Sequence, residues 1–249
     1  MTNKILLLDI ETAPNVAYVW GLFDQNITHN QLEASSYVLC WSAKWLGRHQ
    51  PMQFASAREK TTMLPRIHAL LHEADVVIHY NGLRFDIPTL NKEFINHDMP
   101  PPSPYRQLDL MVVVKHAFKF TSNKLDYVAQ ALGLGSKVRH PGFELWIKCM
   151  RGDTKAWKIM ERYNRQDVVL LEKLYHRLRP WIARHPNLGL FSGQRPSCPK
   201  CGSSHVQARG SQLALTRIYQ RYQCMNCRGW FRGNKPLQVS RGERGVNIV

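Results

Sequence analysis

A chain of 249 residues, 44% of them hydrophobic, is long enough to bury one full core and to carry a small second domain. Its formal net charge of +16 predicts a polyanionic partner, with nucleic acid first, although solubility alone is an alternative role for the charge. The apolar runs are too short to cross a bilayer, and neither a signal peptide nor a basic amphipathic helix is evident. We therefore expect a soluble, unexported protein that does not bind membranes.

The first predicted element is a buried strand that ends in two acids. The apolar run after Lys4 is typical of such a strand, and Asp9 and Glu11 stand at its end. Side chains alternate along a strand, so both carboxylates point to one side while Ile10 returns to the core. Two such acids repel each other unless a cation lies between them, and their oxygens suit Mg²⁺ or Mn²⁺. Taken alone, this motif is consistent with a metal site and also with a strand that ends in an ordinary acidic turn.

The following segments predict a meander, a helix and another strand. Three stretches are rich in β-forming residues. Apolar residues with helical spacing and an early proline then predict a helix, and a second buried strand follows it. The predicted strands cover residues 17–23, 37–45, 52–55 and 74–79, and the predicted helix covers residues 61–73.

A turn after the last of these strands leads to a third acid. Asn81-Gly82 is a turn signal, which places the next residues at the end of the sheet. We expect Phe85 and Ile87 to pack inwards and Asp86 to point to the open side. A helix is expected over residues 88–96. Taken alone, Asp86 needs no role beyond its favourable position at a helix N-terminus.

Helices dominate the chain between residues 108 and 184. They are predicted over residues 108–118, 125–132 and 156–184. Tyr163 and Asp167 are four residues apart, so they share a face of the last helix, as an ordinary surface pair also would. We expect His140 to be an ordinary loop histidine, with a substrate contact as the alternative. Asp109 is expected to be an ordinary acid at a helix start.

Three acidic motifs in this order resemble the DEDD superfamily of 3′→5′ exonucleases, also called DnaQ-like. The matching residues are Asp9-Ile-Glu11-Thr, Asn81-Gly-Leu-Arg-Phe-Asp86 and Tyr163-Asn-Arg-Gln-Asp167, the last being the tyrosine form of its motif. The resemblance covers residues 4–184. Within the superfamily, this region is similar to the proofreading domains of family B DNA polymerases and to stand-alone, often virus-encoded exonucleases. It implies an α/β fold in which helices flank a mixed, ribonuclease H-like sheet.

The chemistry of phosphodiester hydrolysis explains these residue types. Two divalent ions about 3.5–4 Å apart can activate water, neutralise charge at phosphorus and assist the leaving oxygen. By the resemblance, Asp9 bridges two Mg²⁺ or Mn²⁺ ions, Glu11 and Asp167 hold the one that activates water, and Asp86 supports the second, partly through water. By the same resemblance, Tyr163 would orient the attacking water through a hydrogen bond. It would not abstract the proton of the water, because the pKa of an unperturbed phenol is about 10.

Four residues are candidate substrate contacts. Asn81 and Phe85, together with His79, are expected to line the pocket of the terminal nucleotide, although Phe85 is also typical of a core residue. Lys124 is a reasonable phosphate contact, but a single surface lysine carries little information.

Four of the six cysteines predict a metal site. Cys40 and Cys149 lie in apolar surroundings and are expected to be buried thiols. The others form two Cys-x-x-Cys pairs, a spacing that fits one structural Zn²⁺ in a zinc ribbon that would hardly fold without the metal. Disulfides are the alternative. The four residues are Cys198, Cys201, Cys224 and Cys227.

The ribbon is also strongly basic. From Gly193 onward Glu243 is the one acid. The alternation of arginines and aromatic residues is suited to contacts with the nucleic acid backbone and to base stacking. We therefore expect the ribbon to bind nucleic acid and to direct its 3′ end to the acidic residues. Docking to a protein is the alternative. The residues concerned are Arg209, Arg217, Arg221, Arg228, Arg232, Tyr219, Tyr222, Trp230 and Phe231.

The predicted function is metal-dependent release of nucleoside 5′-monophosphates from the 3′ end of DNA, with single strands favoured. The alternatives are an exoribonuclease, an inactive nucleic-acid-binding accessory protein and a structure-selective endonuclease, which the tyrosine motif disfavours. A replication or recombination protein is a candidate partner, and the expected location is the cytoplasm, that of the host if a virus encodes the protein. The predicted domains are a ribonuclease H-like exonuclease over 1–186, a linker over 187–196, the zinc ribbon over 197–235 and a flexible tail over 236–249.

Overall fold

The computed structural model describes residues 3–237, and the chain divides into two compact units. One unit runs from Lys4 to Arg177, and the other takes the described residues from Leu178 onward. Almost all of the tail predicted to be flexible, residues 238–249, lies outside the described residues. None of the described helices is both long and apolar enough to traverse a membrane.

The larger unit is built on a mixed sheet of five strands. The strands of the whole unit, including two outside this sheet, are β1 (Ile5–Thr12), β2 (Val16–Ala17), β3 (Leu32–Ala34), β4 (Val38–Trp45), β5 (Gln53–Ser56), β6 (Val76–His79) and β7 (Arg106–Asp109). The order is β5-β4-β1-β6-β7, while β2 and β3 pair separately. β1 is central, antiparallel to β4 and parallel to β6. The mixed five-stranded sheet confirms the predicted α/β fold class.

Helices cover both faces of this sheet. They are α1 (Met63–Glu73), α2 (Asp86–Asn96), α3 (Leu110–Ala117), α4 (Leu125–Ala131), α5 (Glu144–Met150) and α6 (Thr154–Leu178). The buried Leu6 and Leu8 of β1 pack in one cluster with residues of α1 and α2. Leu39 and Cys40 of β4 pack in another cluster with residues of α5 and α6. Cys40 and Cys149 are both buried thiols, as predicted.

The predicted strand over residues 17–23 is wrong. Only Val16–Ala17 forms a strand there, and the aromatic residues that suggested a longer one are exposed, with Trp20 and Phe23 at 101% and 84%. β-propensity reflects the fit of a side chain to a half-buried sheet surface. This segment has no such surface to lie on, so its aromatic content does not produce a strand.

The helix predicted from residue 108 begins two residues later, because a strand precedes it. Leu108 and Asp109 pair with Ile78 and His79 as the end of β7. The Asp109 side chain then caps α3 by accepting the Met111 N–H at 2.9 Å, which confirms its expected place at a helix start. A strand of four residues that runs directly into a helix has no turn signal to reveal it.

The smaller unit carries a three-stranded antiparallel sheet. Its strands are β8 (Val206–Leu213), β9 (Ile218–Cys224) and β10 (Trp230–Pro236), with β9 in the middle. A short 3-10 helix, Leu188–Phe191, precedes the sheet within the stretch predicted as a linker. Leu188 is buried there, and its N–H donates to the Pro199 carbonyl oxygen at 2.8 Å.

Candidate active site

Three carboxylates from two elements converge at the centre of the larger unit. Asp9 and Glu11 project from β1, and Asp167 projects from α6. One carboxylate oxygen from each residue lies within 4.8 Å of the others. Asn164, one turn before Asp167, donates from Nδ2 to Asp9 Oδ2 at 2.7 Å and thereby joins the helix to the strand. The alternation along β1 and the helical spacing together bring these acids to one place.

This group has the properties of a divalent-cation site. Among the residues that the structure describes, the buried Asp167 Oδ1 has no hydrogen-bond partner. An orphaned buried acceptor is costly, and a cation would satisfy it. Carboxylate oxygens are also the ligands that Mg²⁺ and Mn²⁺ prefer. Asp9, Glu11 and Asp167 therefore fit a hard metal ion.

Asp86 lies beside this group rather than within it. It is the first residue of α2, and its Oδ1 accepts the N–H of Ile10, between Asp9 and Glu11, at 3.2 Å. The expectation that Asp86 points to the open side is wrong, because the residue is 3% exposed. Its carboxylate is fixed against the strand that carries the other acids.

The inward packing expected for Phe85 is also wrong, because this residue is 42% exposed whereas Ile87 is buried. The prediction assumed the alternation of an extended strand. Residues 81–85 instead form a turn, in which the Phe85 N–H donates to the Asn81 carbonyl oxygen at 3.1 Å. The turn reverses the side to which Phe85 points.

The turn before Asp86 is held from two sides. Asp109 accepts the backbone N–H groups of Asn81 and Leu83 at 2.9 and 3.2 Å. Gly82 N–H donates to Nδ1 of the buried His79 at 3.1 Å. A Cβ on Gly82 would lie 2.4 Å from His79 Cγ, so the turn requires glycine here. His79 is a buried support of this turn, and its ring is 0% exposed.

Lys137 completes the group and was missed by the sequence analysis. Its Nζ donates to Asp167 Oδ2 at 2.5 Å and to Tyr163 Oη at 3.0 Å. Burial lowers the Lys137 pKa, but the Asp167 carboxylate and the Tyr163 phenol outweigh this effect and leave the pKa raised. The residue lies in the loop between α4 and α5, where no periodicity or motif marks a single lysine.

Aromatic side chains enclose Tyr163. His140 and Trp146 meet its ring edge to face, with centroids 4.7 and 6.0 Å away. His140 thus packs directly on a predicted site residue, a contact that its loop position gave no reason to expect. These rings fix the position of the phenol beside Asp167.

Without a divalent cation the pKa values of these carboxyl groups stay raised, even with the Lys137 ammonium beside Asp167. Desolvation, followed by repulsion from Asp167, raises the Glu11 pKa to about 8. Desolvation likewise raises the Asp86 pKa to about 7. The Asp9 pKa is raised by desolvation and then by its neighbours Asp167, Asp86 and Glu11. A divalent cation would reverse this repulsion by favouring the charged forms.

We expect Glu11→Gln to stabilise the protein at alkaline pH when no Mg²⁺ or Mn²⁺ is added. Between the ordinary Glu11 pKa of 4.5 and its folded-state pKa of about 8, the folded chain holds a proton that the unfolded chain has released. Stability therefore falls as the pH rises through this window. The variant should be more stable than the parent at pH 8.5 by roughly 1–4 kcal/mol, and the two should converge near pH 5.

Denaturant unfolding at both pH values, with and without Mn²⁺, measures this effect. Mn²⁺ should stabilise the parent more than the variant, because binding to the folded state alone raises stability. Glu33→Gln, which neutralises an exposed acid outside the group, is the control. A Glu11→Gln protein that is less stable than the parent at pH 8.5 would contradict the repulsive cluster.

One cleft reaches the acidic group at Asp9, and a second cleft adjoins the first. One, of about 620 Å³, is lined by Asp9, Lys137, Lys115 and Lys124 among others. The other, of about 390 Å³, is lined by Asn81 and Arg84 and shares Lys115 with the first. Lys124 and Asn81, predicted as substrate contacts, thus line clefts, and Lys115 is an additional cation that the sequence analysis missed. Phe85 does not line either of these two clefts.

The smaller unit contains a second candidate metal site. Four Sγ atoms lie within 4.8 Å of one another, with Cys198–Cys227 and Cys201–Cys224 both at 3.6 Å. Zn–S bonds of about 2.3 Å place the thiolates of a tetrahedral site about 3.8 Å apart. A disulfide requires about 2.05 Å, so these cysteines are not disulfide-bonded. Cys198, Cys201, Cys224 and Cys227 fit a four-thiolate metal site.

Comparison with known proteins connects this geometry to a fold family. A family B DNA polymerase from the hyperthermophilic archaeon Pyrobaculum calidifontis is structurally similar, with a TM-score of 0.55 and 18% identity. The similarity covers 76% of this chain and 26% of the polymerase, so this chain spans about a quarter of the polymerase's length. At this identity the likeness shows the fold alone. No curated protein matches the chain.

A sequence model of the RNase H superfamily matches residues 6–179. This range is more than half of the 249 residues and includes Asp9, Glu11, Asp86 and Asp167. The chain therefore belongs to the RNase H superfamily.

Proposed function

We propose that this protein is a metal-dependent 3′→5′ exonuclease that releases nucleoside 5′-monophosphates from single-stranded DNA. The observation that carries the proposal is the convergence of Asp9, Glu11 and Asp167 beside a cleft lined by lysines. Membership of the RNase H superfamily supports a nuclease. The similarity to a DNA polymerase and the three motifs that resemble proofreading domains favour DNA and the 3′ end.

The acids would hold the catalytic cations. In this proposal, Asp9, Glu11 and Asp167 bind directly, and Asp86 supports the second ion from its position beside Ile10. Two Mg²⁺ or Mn²⁺ ions would neutralise charge on the phosphate and lower the pKa of a bound water. Asn164 keeps the Asp9 carboxylate oriented through its 2.7 Å hydrogen bond.

Tyr163 would orient the attacking water. Burial, with the neighbouring Asp167 and Glu11 carboxylates, raises its pKa above the usual value of 10.0. The phenol therefore keeps its proton at neutral pH, so it serves as a hydrogen-bonding group and not as a base. Lys137 donates to both the phenol oxygen and Asp167 Oδ2 and would keep these two groups side by side when a metal ion is bound.

The cleft beside Asp9 would bind the nucleic acid backbone. Lys115 and Lys124 line it and are both exposed, so they can contact phosphates without loss of a structural role. Asn81, from the neighbouring cleft, is the proposed contact of the terminal nucleotide, and Phe85, which is exposed, can stack on a base.

For the smaller unit, we propose that the four cysteines bind one structural Zn²⁺. The four-thiolate set leaves no ligand position for water, which is typical of structural zinc.

One assay tests the nuclease. Single-stranded DNA, duplex DNA and RNA, each labelled at the 5′ end, are incubated with Mg²⁺, with Mn²⁺ or with neither. We expect metal-dependent shortening from the 3′ end in steps of one nucleotide, with the highest rate on single-stranded DNA. Internal cleavage would indicate an endonuclease, faster degradation of RNA an exoribonuclease, and binding without cleavage an accessory protein.

A further inference from the structure

The two faces of the sheet β8-β9-β10 differ sharply in chemistry. Directly paired residues share a face, and so do alternate residues along a strand. Tyr222 pairs with Phe231, and their rings stack at 5.4 Å on the face that carries the buried Cys224. The opposite face combines three exposed arginines with an exposed tryptophan and a half-buried tyrosine. We name it the basic face, and it comprises Arg209, Tyr219, Arg221, Trp230 and Arg232.

Two cation–π pairs organise the basic face. Arg232 Cζ lies 4.1 Å from the centre of the Tyr219 ring, and Arg221 Cζ lies 5.1 Å from that of Trp230. Arg221 Nε also donates to the Arg209 carbonyl oxygen at 2.9 Å. A guanidinium held on a ring loses less freedom when it binds a ligand, and its outer N–H groups remain available to an anion.

The charge around the basic face defines its partner. No aspartate or glutamate occurs in the sequence between Leu178 and Leu237, so the described part of this unit contributes no acid that could neutralise its arginines. Such a surface attracts polyanions. Exposed rings and guanidinium planes additionally stack on unpaired bases, which a duplex does not present. Trp230 is 45% exposed and is thus available for such a contact.

We propose that the basic face is a second binding surface for single-stranded nucleic acid, in which Arg209, Arg221 and Arg232 bind phosphates and Trp230 and Tyr219 stack with bases. This assignment rests on the proposed function for its substrate class. The proposal does not include Tyr222 and Phe231, which the sequence analysis grouped with these aromatic residues, because they lie on the face of the sheet that carries the cysteines.

The test measures binding of a fluorescent oligothymidylate to the full chain at several salt concentrations. All proteins carry Asp9→Asn, so that cleavage does not consume the probe. Arg221→Ala/Arg232→Ala should weaken binding and reduce the slope of log affinity against log salt by about 1.4, or about 0.7 for each lost phosphate contact. The matched control Arg184→Ala/Arg195→Ala removes the same charge from exposed positions of the same unit outside the sheet and should leave this slope unchanged.

A second pair of variants tests stacking. Trp230→Ala should weaken oligothymidylate binding about 5- to 150-fold, whereas Trp230→Phe, which keeps an aromatic ring, should retain most of the affinity. Unchanged metal content in each variant confirms that the ribbon is folded. Equal competition by duplex DNA, or a Trp230→Ala protein with parental affinity, would overturn the single-strand assignment.

The outcomes separate this inference from the proposed nuclease. If the chain with Asp9 restored does not cleave DNA but the ribbon variants lose affinity, the nuclease is refuted and the basic face stands. If affinity and salt slope are unchanged in both the arginine and the tryptophan variants, the basic face is refuted whatever the nuclease result. That second outcome would favour docking of a protein on this surface.

Discussion

Asp9→Asn is expected to abolish Mg²⁺-dependent cleavage, lowering the rate by at least about a thousandfold, while the fold remains intact. A carboxylate oxygen of Asp9 lies within 4.8 Å of one from Glu11 and one from Asp167, so its loss breaks two of the three ligand pairs in the group. Asparagine has the same shape but no charge, and it can still accept the hydrogen bond from Asn164. Because the pKa of Asp9 is raised by desolvation and by neighbouring acids, its neutralisation relieves repulsion and does not destabilise the chain.

Single-turnover cleavage of 5′-labelled single-stranded DNA, together with thermal unfolding, measures this prediction. Glu172→Gln is the matched control, because Glu172 is an acid on the same helix as Asp167 that pairs with Lys44 outside the cluster. The control should cleave at the parental rate. Parental turnover in the Asp9→Asn protein would refute the assignment of the acidic group as the catalytic centre.

Asp9, Glu11 and Asp167 could be placed from the sequence because each lies on a regular element. Asp9 and Glu11 follow the alternation of β1, and Tyr163 and Asp167 follow the spacing of α6, so their relative directions are fixed by local geometry. The mixed sheet could be predicted for the same reason, since its central strand is a continuous apolar run. The catalytic role of these residues stays a prediction.

The residues that the sequence analysis placed incorrectly, or missed, lie where long-range contacts decide the structure. Phe85 ends, and Asp86 directly follows, a turn whose direction is set by hydrogen bonds from its backbone to Asp109, more than twenty positions along the chain. Lys137 reaches Tyr163 and Asp167 from a loop without a repeating pattern. Neither contact has a local signal, because periodicity reports only on neighbours within one element.

Cys224→Ser is expected to remove the bound metal and to unfold the sheet β8-β9-β10, while residues 4–177 keep their fold. The core of the sheet is formed by the cysteines with Val206 and Phe231, which is too little apolar surface to offset the entropy of folding. For structural zinc, the binding free energy of about 10–16 kcal/mol is effectively folding free energy. A site with only three thiolates loses most of this binding free energy.

Metal analysis and hydrogen exchange of the full chain measure this second effect. We expect one equivalent of zinc in the parent, none in Cys224→Ser, and fast exchange in the variant confined to the sheet. His205→Ala removes a potential metal ligand from the same segment that does not belong to the four-cysteine group, so this control should retain its zinc. Slow exchange in a metal-free Cys224→Ser protein would show that the strands stay folded without the ion. Iron in the parent would show that the four thiolates select a different metal.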